Sequence, residues 1–132
     1  MDVLLAGVWW EEDVGIDLAK YVHQNSNMIF QGIYLHCGDT YHTESVAQVC
    51  ELRDKAITCC DTFRKRLVDA GVPCPISGTG STPSCSQPSD TMKTLTEIHP
   101  GNYIFYGNNF IILAFHRLKL SVDILVSRSA IF

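Results

Sequence analysis

The stretch from Ser45 to Ala70 constrains this chain more than any other. Ser45 and Gln48 form an S-x-x-Q capping box, which satisfies the open N–H groups of a helix start, and Gly71 followed by Pro73 closes the far end. Between them Val46, Val49, Ala56, Ile57, Cys60, Phe63 and Leu67 recur every three or four residues, while Arg53, Asp54, Asp61, Arg64 and Lys65 fill the opposite, solvated side. A helix with one apolar stripe must lay it on something, and the flanking residues say what. Upstream, Met28 to Leu35 is an almost continuous apolar run, as expected of a parallel strand covered on both faces. Downstream, Pro75-Ile76-Ser77-Gly78-Thr79-Gly80-Ser81-Thr82-Pro83 reads as a strand passing into a loop. Helix alternating with buried strand predicts an α/β layer joined by right-handed crossovers.

The remaining segments are read on the same basis. Ile16, Leu18, Ala19 and Val22 predict a helix from about Glu12 to Gln24, with acids at its front to suit the helix dipole and Asn25-Ser26-Asn27 to end it. A Ser/Pro-rich stretch through Asp90 reads as a loop, and Thr94–Ile98 and Tyr103–Tyr106 read as short extended segments around the Pro100-Gly101 turn. The tail carries two apolar runs, Phe110–Phe115 and Val122–Val126, whose pairing is left open. No internal repeat is visible.

Charge narrows the partners. With 10 Lys+Arg against 14 Asp+Glu the 132-residue chain carries a formal −4 and no basic tract, which argues against nucleic acid or an anionic membrane surface. The apolar start, Met1 to Val8, lacks a basic region and stops at Glu11-Glu12-Asp13, so no secretory signal is expected. Phe110–Phe115 is too short to span a bilayer. The six cysteines are then expected as reduced thiols in the cytoplasm.

Chemistry concentrates in two places. Ser77-Gly78-Thr79-Gly80-Ser81-Thr82 sets hydroxyls and glycines at a strand end, where backbone N–H groups can approach an anion. A phosphate site is one reading and a small polar turn the other, since no G-x-x-x-x-G-K pattern supplies a lysine. Pro100-Gly101-Asn102-Tyr103 offers two further N–H donors, and two such loops after successive strands suit the phosphate sites of barrel enzymes. His36, Cys37 and His42 lack the paired spacing of a zinc site, and Cys59 and Cys60 read as packing residues on their helix.

Three motifs carry a family resemblance. His36-Cys37-Gly38-Asp39-Thr40-Tyr41-His42, Gly80-Ser81-Thr82-Pro83-Ser84-Cys85-Ser86 and Thr96-Glu97-Ile98-His99-Pro100-Gly101-Asn102-Tyr103-Ile104-Phe105-Tyr106 resemble, in order and spacing, the D-serine dehydratase and D-threonine aldolase group of alanine-racemase-like pyridoxal-phosphate enzymes. Cys-Ser after the Ser-Thr-Pro turn is similar to the dehydratase branch. The resemblance covers about Gly15 to Tyr106. Residues 1–106 are therefore expected to be part of a barrel domain, with 107–132 a poorly matched tail.

The resemblance implies an α/β fold, a partial (β/α)8 TIM barrel of the alanine racemase N-terminal type. It holds pyridoxal 5'-phosphate at its mouth, and the C-terminal β-domain with its zinc is absent or vestigial here. It also implies that Ser81 and Thr82 donate hydroxyls to the cofactor phosphate, that the N–H groups of Gly101 and Asn102 complete the cradle, and that Tyr41 hydrogen-bonds the pyridine nitrogen. A phenol there makes a weaker electron sink than a charged partner does. His36 either buttresses these groups or is a structural histidine, and His99 stands where relatives often carry arginine.

In the full-length family a Schiff-base lysine on the first barrel strand removes the α-proton of a D-amino acid and zinc assists loss of the hydroxyl, giving pyruvate and ammonia from D-serine. Lys20, Lys55, Lys65, Lys93 and Lys119 do not stand in that context, and residues 107–132 hold no counterpart of the zinc ligands. The expectation is a truncated dehydratase-like lyase, inactive alone and without catalytic residues of its own. The alternative is a non-catalytic cofactor-binding or interaction fragment that self-associates or pairs with a full-length relative.

Overall fold

A computed structural model describes residues 7–101. In chain order they form helix α1 (Val14–Gln24), strand β1 (Gly32–His36), a 3-10 turn (Gly38–His42), helix α2 (Val46–Asp69), strand β2 (Ile76–Gly80), the short helix α3 (Thr82–Cys85), a second 3-10 turn (Asp90–Thr94) and strand β3 (Glu97–Ile98). The strands make one parallel sheet in the order β1-β2-β3. Asn102, Tyr103–Tyr106 and the two apolar runs of the tail lie outside the described residues.

Both ends of α2 are built from the residues that announced it. Ser45 Oγ accepts the N–H of Gln48 at 3.3 Å. The return arm differs from the expected box, because Gln48 Oε1 accepts the N–H of Glu44 at 2.8 Å, one residue further out. At the other end Gly71 takes φ +82°, its N–H donates to the Val68 carbonyl, and the Val72 N–H donates to the Leu67 carbonyl, both at 2.9 Å. This double closure needs a left-handed residue, which glycine supplies without a Cβ penalty. Leu67 and Val72, the apolar pair that accompanies it, are 0% and 1% exposed.

The core lies where α1 crosses α2 beside the sheet. Ile16 and Ala19 of α1 pack with Phe63, Leu67, Val72 and Cys74, joined at the edge by Trp10, Phe30 and Ile33. A fully buried Leu or Phe contributes roughly 1.5–3 kcal/mol, so this cluster is what holds the two helices to the layer.

Several expectations change. β1 starts at Gly32 rather than Met28, and Ile29 is 81% exposed. The strand is not covered on both faces: Ile33 turns to the core, whereas Tyr34, one residue on, is 52% exposed. An apolar run cannot distinguish one covered face from two. Arg53, assigned to the solvated side of α2, is buried at 6% exposure and donates to the Gln87 carbonyl and to Asp54. Helical periodicity places it correctly on the helix, but the loop that folds over it comes from residues 34 positions away. The Ser/Pro stretch folds into α3 and a 3-10 turn, and of Thr94–Ile98 only Glu97–Ile98 pairs as strand.

Candidate functional site

His36 ends β1 opposite Gly80, the last residue of β2, so the loops after the two strands leave from the same edge of the sheet. In a parallel α/β layer that carboxyl edge is where ligands bind. The loop after β1 is the 3-10 turn containing Thr40 and Tyr41, and the loop after β2 begins at Ser81.

Strand alternation sorts the hydroxyls of residues 77–82. Ser77 and Thr79 pair with Ile33 and Leu35, so they share the face those residues present. Thr79 Oγ1 donates to the Leu35 carbonyl at 2.6 Å, and Ser77 Oγ is buried without a partner. Ser81, 1% exposed, accepts the Ser84 N–H at 3.3 Å while Ser84 Oγ accepts the Ser81 N–H at 2.9 Å, a reciprocal box that starts α3. The Ser81 hydroxyl also lies 2.6 Å from Thr40 Oγ1, which ties the two loops together. Its neighbours are thus interior groups. Thr82 follows, itself buried at 6% exposure, its N–H donating to Tyr41 Oη at 3.4 Å.

The other face of the sheet is aromatic and polar. Tyr34 and His36 on β1 pair with Gly78 and Gly80 on β2, and the two glycines leave room beside them. His99 uses that room: a Cβ on Gly78 would stand 2.8 Å from His99 Nε2. Gly80, at φ +150°, admits no side chain, since a Cβ would lie 2.8 Å from Cys85 Sγ and 2.9 Å from the His99 nitrogen. The His99 ring tilts against Tyr34 at 4.4 Å between centroids, and its Nε2 sits 3.1 Å from Glu97 Oε1.

Of the expected site residues, Tyr41, Ser81 and Thr82 come together at this edge. Gly101 is exposed with open space beside its Cα, and Asn102 lies outside the described residues. Reading residues singly missed Thr40, which is fully buried and joins the two loops, because a threonine inside a polar cluster gives no signal of its partner. Cys37 and Cys85 flank the edge. Burial raises both thiols, and Cys37, with Asp39 adding to the effect, is pushed up to about 11. They are protonated at neutral pH and are poor nucleophiles.

Among the described residues Lys20, Lys55 and Lys65 lie on α1 and α2 and Lys93 on the second 3-10 turn, none at the strand ends. No group of three His, Cys, Asp or Glu side chains among them is placed to hold a metal. Nor is any helix among them long and apolar enough to cross a membrane.

A parallel β-α-β layer with its polar residues gathered at the carboxyl strand ends defines an α/β protein with a site at that edge, and the comparisons say which α/β proteins it is similar to. An alanine racemase-like protein of Idiomarina loihiensis matches with a TM-score of 0.75 at 20% identity, over 85% of this chain and 29% of that one. The D-serine dehydratase of Dictyostelium discoideum is 34% identical over 94 residues, 69% of this chain and 24% of the relative. The D-threo-3-hydroxyaspartate dehydratase of Delftia sp. HT23 is 28% identical over 82 residues, 62% of this chain and 21% of the relative. Its structure gives a TM-score of 0.74 over 83% of this chain and 28% of that one, at 24% identity. No protein-family model matches the sequence. Its homologues and structural neighbours are D-serine dehydratase, D-threo-3-hydroxyaspartate dehydratase, alanine racemase-like and D-threonine aldolase proteins, all fold-type III pyridoxal-phosphate enzymes. The chain spans about a quarter of the length of the curated relatives it matches.

Proposed function

We propose that residues 1–106 form the part of a cytoplasmic (β/α)8 barrel that holds the phosphate and ring of pyridoxal 5'-phosphate in a D-amino acid dehydratase of the D-serine type, with 107–132 a tail outside that unit. The observation that carries this is the 3.4 Å approach of Tyr41 Oη to the Thr82 N–H across 41 residues of sequence. It puts the phenol expected at the pyridine nitrogen beside the residue expected at the phosphate, as one small molecule bearing both groups requires.

When bound, the cofactor supplies an electron sink for the carbanion left by removal of the amino acid's α-proton. Tyr41 would hold the ring nitrogen with its phenol, which makes a weaker electron sink than a charged partner does. Thr82, Gly101 and Asn102 donate to the phosphate, and Ser81 serves them by capping α3, which fixes the Thr82 backbone. Among the described residues the lysines and arginines lie on α1, α2 and the second 3-10 turn and not at the ends of β1 and β2, so phosphate recognition rests on backbone and hydroxyl donors. In the complete site a lysine would remove the α-proton and a metal would assist the leaving hydroxyl, and none of the described lysines stands at a strand end to take the first role. A D-amino acid such as D-serine is the proposed substrate class of the complete site.

A second reading, a non-catalytic fragment that self-associates or pairs with a full-length relative, is favoured by the position of the described lysines on helices away from the strand ends. Cofactor titration followed by borohydride reduction and mass spectrometry tests the proposal. Reversible binding is expected, weakened in Thr82→Ala and Gly101→Pro, without a stoichiometric pyridoxyl-lysine. Affinity equal in both variants and the parent would remove the phosphate site. Pyruvate release from D-serine by the chain alone would contradict the assignment of proton abstraction elsewhere.

A further inference from the structure

Tyr34 and His36 are both exposed on the open face of the sheet, so they contribute little burial, yet they are held in one arrangement. The Tyr34 hydroxyl hydrogen-bonds His36 Nδ1 at 3.0 Å. Period-2 alternation puts the two side chains on one face of β1, which makes this contact a property of the strand itself. The opposite edge of the imidazole faces Gly38, where a Cβ would come 3.2 Å from His36 Cδ2 and 3.6 Å from Nε2. The flat of the ring lies nearly parallel to Tyr41, 27° between planes and 6.2 Å between centroids. Tyr34 is itself set by the His99 ring at 4.4 Å. The imidazole is therefore fixed on one edge, hemmed in on the other, and presents its face to the phenol that approaches Thr82.

We propose that His36 is a positioning residue for Tyr41 and that Tyr34 acts through it by anchoring Nδ1. With Nδ1 bonded to the Tyr34 hydroxyl, the ring cannot flip without losing that bond. The Tyr41 ring then lies alongside a fixed ring, 6.2 Å between centroids, and its hydroxyl keeps one direction at the strand edge. That this direction serves the cofactor ring rests on the function proposed above. The placement of Tyr41 by His36 does not.

The test uses the full chain. NMR of the chain labelled on its tyrosine rings reads Tyr41 without any ligand, and titrations with pyridoxal 5'-phosphate and with inorganic phosphate read the two halves of the site. In His36→Asn and in Tyr34→Phe the Tyr41 ring resonances are expected to move, while the urea midpoint stays at the parent value. Cofactor affinity is expected to fall about three- to tenfold, the loss of one hydrogen bond's worth of positioning, with phosphate affinity unchanged. The double variant is expected to fall little further than His36→Asn, because the Tyr34 hydroxyl is bonded to His36 Nδ1 and acts mainly through that ring. Unmoved Tyr41 resonances, or cofactor and phosphate affinities falling together, would overturn the assignment. A parent chain that binds no cofactor while its variants still move Tyr41 would leave the positioning role intact and remove the proposed function. If His36→Asn does not fold, Tyr34→Phe, which keeps both rings, carries the same readouts.

Discussion

Thr40 Oγ1 lies 2.6 Å from Ser81 Oγ, and neither residue is more than 1% exposed. Thr40 also donates to the Cys37 carbonyl at 2.7 Å, and Ser81 holds the start of α3. One hydroxyl pair thus couples the loop carrying Tyr41 to the loop carrying Thr82. Removing either partner leaves the other buried without its mate, at a cost of about 1–3 kcal/mol. Thr40→Val and Ser81→Ala are each expected to lower urea stability by that amount, and the double variant by less than their sum. Strict additivity in the cycle would mean that the two hydroxyls do not interact.

Two glycines with positive φ are expected to respond differently to alanine. Gly71 faces open space, so Gly71→Ala pays only the left-handed backbone penalty, roughly 1 kcal/mol. Gly80→Ala adds a collision with Cys85 Sγ and the His99 backbone, and a cost of more than about 2 kcal/mol is expected together with loss of cofactor binding. Equal melting shifts in the two variants would contradict this.

Alkaline pH should find the buried thiols. Burial pushes Cys37 and Cys60 from the ordinary 9.0 up to about 11. The unfolded chain releases those protons near pH 9 and the folded chain keeps them until about pH 11, so the folded state binds more protons between the two values. Stability is therefore unaffected below that window and falls as pH rises through it. Urea midpoints measured from pH 8 to 11 check the sign, and Cys37→Ala should flatten the decline. Alkylation at pH 8 followed by mass mapping should label Cys50, which is partly exposed, before Cys37 and Cys60.

Arg53 links α2 to the loop after α3 through the Gln87 carbonyl, and Asp54 extends the link by accepting from Arg53 Nε at 3.0 Å and from Thr91 Oγ1 at 2.9 Å. Arg53→Met keeps most of the volume but leaves the Gln87 carbonyl without this donor, so about 1–3 kcal/mol of destabilisation and faster amide exchange over residues 86–94 are expected. The Arg53 hydrogen bond also holds the Asp54 carboxyl below its usual value. Its contribution is present above the ordinary carboxylate range and is lost as pH falls through the lowered value. With the Asp54 side chain 45% exposed, solvent screens it, and the acid-side effect of Asp54→Asn should be small. Unchanged exchange over residues 86–94 in Arg53→Met would show that the loop is held by other contacts.

The elements legible in the sequence were those whose signals are local. Ser45, Gly71 and the stripe from Val49 to Leu67 fixed α2 because caps and helical period act within a turn or two of the chain. The three motifs carried the family for a related reason: a resemblance depends on order and spacing along the chain. Which side of a residue meets solvent is not local. Arg53 is buried by Gln87, 34 residues on, and Ser81 spends its hydroxyl on Thr40, 41 residues back. Ser77, Thr79 and Ser81 are alike in composition to a phosphate cradle, yet pairing with β1 gives the first two the same face as Ile33 and Leu35, and the Thr40 contact directs the third. The sequence by itself determined the two long helices, the parallel layer and the family resemblance. Only the tertiary structure decided which hydroxyls and rings stand at the strand edge, because that depends on strand register and on contacts between loops that no single segment encodes.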